Sequence, residues 1–290
     1  MFLITGATGA VGRPLIAALV SAGVPVRAIT RDPATAGLPP AVEIVQGDPS
    51  QPDTVATAVH GVTGLFVNPR AVGSAAKNLL AVAGESGVRR VVGLSAINVD
   101  DDPSLQPSRF RGDLNKEVEQ AVTGSGIDWV SLRPTVMAHN AIGLWGGQIR
   151  SGTVVRGPYA KAADAPVDAR DVAVVAASAL LADGRQADDL LGRRPVLTGP
   201  RSLTNDEMVD SIGQAIGRTL TYQEVPPELA RKGMIELGLP AGFADANLAR
   251  LAVCAQGPAV VTGEVERILG RPATTFAEWA VEHAAAFRSR

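Results

Sequence analysis

Apolar residues in the first half of the chain gather into short runs: FLIT (2–5), VPVRAIT (24–30), VEIVQGD (42–48), GLFVNP (64–69), RRVVGLS (89–95) and DWVSLRP (128–134). Each is nearly continuous in hydrophobicity and rich in β-branched residues, the pattern of a strand buried on both faces. Segments with helical spacing or good helix formers follow the first five, which predicts βαβ alternation and a parallel sheet covered by helices on both sides. In RPLIAALVSAG, Leu15, Ile16, Leu19 and Val20 form one helical stripe that Gly23 ends. After Pro134 the pattern loosens, and residues 138–166 read as a long excursion interrupted by glycine and proline. VDARDVAVVAASALLA (167–182) returns to a strong helix, capped by Asp168 or Asp171, and RPVLTGP (194–200) reads as a further strand. Beyond it, Thr204 with Glu207 and Thr275 with Glu278 offer two capping boxes, each marking a helix start.

The opening motif, LITGATGAVG (3–12), lies between the first strand and the first helix. Gly6, Gly9 and Gly12 suit a tight turn, a close backbone approach and helix packing, so the N–H groups of Gly9, Ala10, Val11 and Gly12 would face a pyrophosphate, with the Thr8 hydroxyl as a further donor. The fold expected is a Rossmann-type doubly wound parallel α/β sheet with a small C-terminal substrate lobe. Residues 1–134 and a returning 166–200 would form the nucleotide domain, and 135–165 with 201–290 the lobe. An acidic residue at the end of the second strand would favour NAD, but this strand runs into Arg31, a cation suited to a 2′-phosphate, so NADP(H) is the expected cofactor. Arg13 either assists or faces solvent. Asp48 closes the third strand, either beside the adenine or as a turn residue before Pro49. Asn68 and Pro69 end the fourth strand and either line the adenosine side of the cleft or turn the chain, and Pro134 closes the cofactor set.

These residues carry a resemblance. GATGAVG, Arg31, QGD, SGIDWVSLRP (125–134), PVDARDVA (166–173), LTGPRSLTNDEM (197–208) and GRPATTFAEWAVEHAAAF (270–287) resemble, in order and spacing, the NmrA-like branch of the atypical short-chain dehydrogenases/reductases across nearly the whole chain. The resemblance implies an extended Rossmann fold, NADP(H) at the strand C-termini and substrate above the nicotinamide. Reductases of that superfamily protonate a carbonyl oxygen through a Tyr-x-x-x-Lys pair, assisted by a serine at the end of the fifth strand. Here the only tyrosines, Tyr159 and Tyr222, have no lysine four residues on. Alignment on Glu119 puts Arg111 in the tyrosine's place and Asn115 in the lysine's, on one helical face, with Lys116 turned about 100° away and facing solvent. Ser95 is the candidate serine, although relatives often use the next position, here Ala96. Ser95, Asn115 and His139 are the candidate catalytic residues, His139 because its imidazole titrates near neutral pH. Met137, Asn140 and Trp145 are candidate substrate contacts, unless Met137 and Trp145 are core and His139 a cap.

Composition narrows the function class. With 27 basic and 29 acidic side chains, the chain carries no electrostatic footprint for nucleic acid or an anionic membrane, and points to small-molecule partners. The single cysteine, Cys254, excludes an internal disulfide and reads as a buried structural thiol; the apolar start is too short for a leader, so a cytoplasmic location is expected. No metal site is expected. Three readings follow: an NADPH-dependent reductase of an aromatic ketone or quinone, as in tyrosine-lacking ketoreductases of actinobacterial aromatic polyketide pathways; a non-catalytic NADP(H) redox sensor; and an epimerase using bound cofactor. The sequence leaves the oligomeric state open.

Overall fold

The computed structural model describes residues 1–289, apart from the side chains at 52 and 53. In chain order the elements are β1 (Phe2–Ile4), α1 (Gly12–Ser21), β2 (Val26–Thr30), β3 (Val42–Gln46), α2 (Pro52–Val59), β4 (Gly64–Val67), α3 (Pro69–Val72), α4 (Ala76–Glu85), β5 (Arg90–Leu94), α5 (Asn115–Thr123) and β6 (Asp128–Pro134). Then come α6 (Asn140–Ser151), β7 (Val154–Gly157), β8 (Ala163–Asp164), α7 (Ala169–Leu181), α8 (Gly184–Leu190), β9 (Val196–Leu197), β10 (Leu203–Thr204), α9 (Asn205–Ile216), β11 (Thr221–Glu224), α10 (Pro227–Glu236), α11 (Ala241–Cys254), α12 (Glu264–Leu269) and α13 (Phe276–Glu282). No helix among the described residues is long and apolar enough to cross a membrane.

The chain forms two compact units: Met1–Val99, Gly112–Pro134 and Ala169–Val196 make the first; Asp100–Arg111, Thr135–Asp168 and Leu197–Arg290 the second. The boundaries depart from those expected, because Asp100–Arg111, 166–168 and 197–200 group with the second unit. The first unit carries a seven-stranded parallel sheet in the order β3-β2-β1-β4-β5-β6-β9. Ser131 N bonds Arg193 O and Arg133 N bonds Pro195 O, so β9 runs parallel to β6 as the numbers climb together. Strand order reverses between β1 and β4, the switch point at which open α/β sheets bind ligands. One sheet face is sealed by a cluster that includes Leu3, Leu65, Val91, Leu79, Val118 and Val122, all no more than 2% exposed.

Two expected helices are absent or shortened. The 31–41 connection from β2 to β3 is irregular, because Pro33, Gly37, Pro39 and Pro40 break any helical run. The helix expected to hold Arg111 and Asn115 together begins only at Asn115. Gly112, at φ +87°, interrupts the backbone, and Pro107–Arg111 is a separate 3₁₀ segment.

The second unit has its own core, built on Trp145, Ile149, Met208, Ile212, Phe276, Trp279 and Phe287. Phe276 stacks on Trp279 at 5.2 Å and Phe287 meets it edge-on at 6.2 Å. β7 pairs in parallel with β11, and β8 antiparallel with β10. Both expected capping boxes are formed: Thr204 with Glu207 starts α9, and Thr275 with Glu278 starts α13. Asp168 stands immediately before α7, in the position expected of its cap, while Asp171 falls in the first turn.

Candidate functional site

The glycine turn is built for close approach. Thr5, between β1 and the turn, donates its hydroxyl to Phe66 O at 2.9 Å and accepts Asn68 N at 2.8 Å, fixing the ends of β1 and β4 to one another. Gly6 takes φ +64°, and a Cβ there would lie 2.7 Å from Asn68 Nδ2. A Cβ on Gly12 would lie 2.2 Å from Gly6 O, so the first turn of α1 crosses β1's exit with no room for a side chain. Gly9 N donates to Gly6 O at 3.0 Å and Arg13 N to Gly9 O at 3.1 Å. The N–H groups of Ala10, Val11 and Gly12 find no acceptor among the described residues. Three free donors at the positive end of α1, beside a cradle that a Cβ would fill, fit a pyrophosphate. Thr8 is exposed beside them.

Arg31 follows β2 directly and is exposed. Asp48 is half-buried; its Oδ1 accepts Ser50 N at 2.9 Å and Ser50 Oγ at 2.7 Å, and these bonds, aided by Arg31, hold its carboxyl below the usual carboxylate range. It is thus a turn residue. Asn68 caps α3, its Oδ1 accepting Arg70 N at 3.0 Å, and Pro69 is buried as the first helical residue. Pro134, buried at the end of β6, accepts Ile97 N at 3.0 Å through its carbonyl. Arg13 is spent on three carbonyls: Nε to Thr8 O at 3.1 Å, Nη1 to Gly37 O at 3.0 Å and Nη2 to Ala36 O at 2.8 Å.

The structure rearranges the expected catalytic set. Ser95 follows β5 but is only 4% exposed, and its buried hydroxyl makes no hydrogen bond; it lies close enough to Glu119 to help lower that carboxyl. Its hydroxyl is therefore turned into the protein, and the half-exposed neighbour is Ala96, which has no hydroxyl. Asn115 is buried at the start of α5, and Lys116 is half-buried rather than solvent-facing. Arg111, assigned the tyrosine's place on the same helical face, instead stands over the Phe243 ring at 5.6 Å within the second unit.

One turn after Asn115, Glu119 anchors α5 to β6. Its Oε2 accepts Ser131 Oγ at 2.8 Å and Arg133 Nε at 3.0 Å; its Oε1 accepts Arg133 Nη2 at 2.5 Å, with Arg194 Nε at 3.3 Å. Burial pushes its carboxyl up, but hydrogen bonds from Arg133 and Ser131 outweigh it and leave the group below its ordinary value. The sequence reading used Glu119 only for alignment. The available signal was two polar residues, Ser131 and Arg133, spaced by two on an otherwise apolar strand and so on one face of it.

In the second unit, Met137 is half-buried and bridges to Val167, and Asn140 opens α6 in an exposed position. Trp145 is only 7% exposed and meets Tyr222 edge-on at 6.4 Å, which commits it to the core rather than to a ligand pocket. His139 precedes α6 without capping it, and its buried Nδ1 has no partner. Burial and His283 lower its pKa against the opposing pull of Asp168, which disfavours the protonated imidazolium that a proton donor requires. Tyr222 donates to Pro158 O at 2.9 Å, and burial pushes its phenol far above its usual range. Tyr159 takes φ +48°, the one such non-glycine residue among those described, with its carbonyl held by Ala162 N at 2.9 Å and Asn205 Nδ2 at 3.0 Å. Cys254 is half-buried rather than buried; its sulfur accepts Arg250 Nη1 at 3.4 Å, and burial pushes its thiol up. Among the described residues no His, Cys, Asp or Glu cluster is arranged to hold a metal ion.

A family model described as NAD(P)H-binding matches residues 6–183, from the glycine turn through α7. The chain belongs to this NAD(P)H-binding family. Across 290 residues, and 99% of both chains, it is 36% identical to a (4-alkanoyl-5-oxo-2,5-dihydrofuran-3-yl)methyl phosphate reductase of Streptomyces griseus. It is 31% identical over 293 residues, again 99% of both chains, to an NAD(P)H azoreductase of Xenophilus azovorans. Among solved structures, an NADPH-dependent quinone oxidoreductase of Escherichia coli complexed with NADPH superposes with a TM-score of 0.79 at 24% identity, covering 97% of this chain and 99% of that one. This near full-length agreement bears out the expected Rossmann-type fold. In this member of the NAD(P)H-binding family, the glycine turn and the neighbouring strand ends at Arg31 and Asn68 lie within the matched residues.

Proposed function

We propose that the chain is an NADPH-dependent reductase that delivers hydride to an electron-poor, conjugated acceptor, a quinone or an aromatic ketone of polyketide type. The observation that carries the reading is a nucleotide cradle with every close approach kept, beside a reaction end without the family's proton donors: Ala96 in place of a hydroxyl, Ser95 turned inward, Asn115 where lysine is expected and no tyrosine on α5. Asparagine donates hydrogen bonds but is no useful acid. The cofactor, when bound, supplies the hydride. This chain's residues hold and orient it: the Ala10, Val11 and Gly12 N–H groups on the pyrophosphate, Arg31 on the 2′-phosphate, and Asn115 as a hydrogen-bond donor at the reacting end. A conjugated acceptor spreads the charge left by hydride addition and takes its proton from water, and orientation supplies much of the acceleration. The relatives' named substrates, a 5-oxo-dihydrofuran bearing an alkanoyl group and azo compounds, are π-conjugated acceptors of this kind.

The test is NADPH oxidation by the purified protein against a panel of quinones, aromatic ketones, alkanoyl butenolides and unconjugated ketones, with NADPH affinity measured by calorimetry. Turnover confined to conjugated acceptors, and unchanged in Ser95→Ala, is expected. Tight NADPH binding without turnover on any of them would refute the reductase and favour a redox sensor.

A further inference from the structure

We infer that Arg13 is a specificity-determining positioning residue: it holds the β2–β3 connection against the glycine turn so that Arg31 meets the cofactor's 2′-phosphate. The inference rests on the NADPH reading above and assigns a second residue to it.

Arg13 is the second residue of α1, where the helix dipole is positive and a cation is unfavourable; no acidic residue offsets it in that turn. Helix stability therefore does not account for arginine here. Its guanidinium instead makes three hydrogen bonds to main-chain oxygens on two segments: Thr8 O in the glycine turn, and Ala36 O and Gly37 O in the connection that begins at Arg31. A planar fork with several fixed donors can serve three diverging carbonyls, and a lysine ammonium on a flexible stem cannot hold the same geometry. Gly37 takes φ +54°, a left-handed turn that presents its carbonyl to Arg13, although a Cβ there would meet nothing closer than 3.8 Å. Conformation rather than space thus calls for glycine at that position.

The connection has no helix or strand of its own between β2 and β3. Side chains tie it at both ends: Asp32, whose Oδ1 accepts Ala34 N at 3.1 Å and whose Oδ2 accepts Thr35 Oγ1 at 2.6 Å, and Arg13 at its far end, beside the backbone bonds from Ala36 N to Pro33 O at 3.3 Å and from Val42 N to Pro39 O at 3.0 Å. Arg31 sits at the near end, exposed. Releasing the far end frees the backbone on which Arg31 is mounted, and a loosened Arg31 must be ordered again each time a 2′-phosphate is bound. That cost falls on NADPH and not on NADH, which has no 2′-phosphate.

The experiment measures dissociation constants of NADPH and NADH by calorimetry for the wild type, Arg13→Lys, Arg31→Ala and the double variant, with a thermal melt of each. Arg31→Ala is expected to weaken NADPH roughly tenfold or more, the loss of one charge-assisted contact, and to leave NADH within about twofold. Arg13→Lys is expected to lower the NADPH-over-NADH preference nearly as far although it keeps the charge, and to add little in the Arg31→Ala background, because it acts through Arg31. Retained preference in Arg13→Lys would mean that Arg13 contributes no more than its charge, and losses that add in the double variant would mean that it acts independently of Arg31; either result would overturn the inference. Retained preference in Arg31→Ala would overturn the 2′-phosphate assignment beneath it. NADH binding serves as the check that each variant is folded.

Discussion

Replacing Glu119 with glutamine tests the buried anchor of α5. Glu119 is 7% exposed and takes its hydrogen bonds from Ser131 Oγ and from both Nε and Nη2 of Arg133, with Arg194 Nε at 3.3 Å. A glutamine keeps the volume but sets an NH₂ group against one of the guanidinium nitrogens and removes the counter-charge of Arg133, whose side chain is 16% exposed. Removing one partner of a buried pair costs about 3–5 kcal/mol, because the other charge stays buried and uncompensated. The partial exposure of Arg133 and the 43% exposure of Arg194 let water in, so the lower end, about 3 kcal/mol, is expected. At roughly 2–4 °C per kcal/mol, that lowers the melting temperature by about 6–12 °C. Urea unfolding of both proteins at neutral pH measures the difference. Because the Glu119 carboxyl is held below its ordinary value in the folded state, its contribution is complete above the unfolded carboxylate pKa of about 4.3 and is lost as pH falls through the lower folded value. The two proteins are therefore expected to converge in stability in acid. A neutral-pH difference below about 0.5 kcal/mol, the range of an inconsequential surface change, or a difference that persists undiminished in acid, would refute this account.

Three further outcomes follow from other contacts. Gly12→Ala would force a Cβ to 2.2 Å from Gly6 O, so the turn must move, and NADPH affinity in calorimetry is expected to fall at least about tenfold, or ~1.4 kcal/mol. Thr275→Ala removes the side-chain half of a complete capping box and should cost about 1 kcal/mol in denaturant unfolding, with no change in NADPH binding. Trp145→Ala should cost about 3–5 kcal/mol of stability as a cavity in the second unit's core; unchanged stability with an altered KM for the acceptor would instead make it a pocket wall.

Where local chemistry decides the outcome, the sequence was legible. The strand runs have one solution in a sheet buried on both faces. Gly6, Gly9 and Gly12 mark a turn whose close approaches need no distant partner to be recognised. Thr204 with Glu207, and Thr275 with Glu278, satisfy one another within four residues. Where the outcome depends on how one element is rotated over another, periodicity gave no warning. Gly112 breaks the segment that was to hold Arg111 and Asn115 on one face, so a spacing of four ceased to mean a shared face. Ser95 follows a strand, and whether its hydroxyl is left exposed or buried depends on what packs over the strand end, which the run RRVVGLS does not reveal. Trp145 shows the same limit: one glycine-rich helix reads equally as pocket wall or core until Tyr222 and Met208 are seen against it.

The inward turn of Ser95 and the placement of Arg111 bear directly on the proposed chemistry. A positioned general acid contributes about 10²–10⁴-fold, or roughly 3–5 kcal/mol, whereas holding two reacting groups in a productive geometry contributes on the order of 7–11 kcal/mol. A chain that keeps its nucleotide cradle and loses its acid therefore forfeits the smaller share. The shortfall is made up wherever the acceptor stabilises its own negative charge, as a quinone or an extended conjugated carbonyl does and an isolated ketone does not. Selection on such a site acts on geometry: on the glycine approaches that seat the cofactor, on Glu119 and Arg133, which fix the helix carrying Asn115, and, in the inference drawn above, on Arg13, which fixes the connection carrying Arg31. The buried ion pair and the three-carbonyl fork are rigid arginine contacts that touch neither hydride nor acceptor. Under the proposed function they suit a reductase working by orientation rather than by proton transfer, because each removes freedom from a residue proposed to meet the cofactor without adding an ionisable group to the reaction.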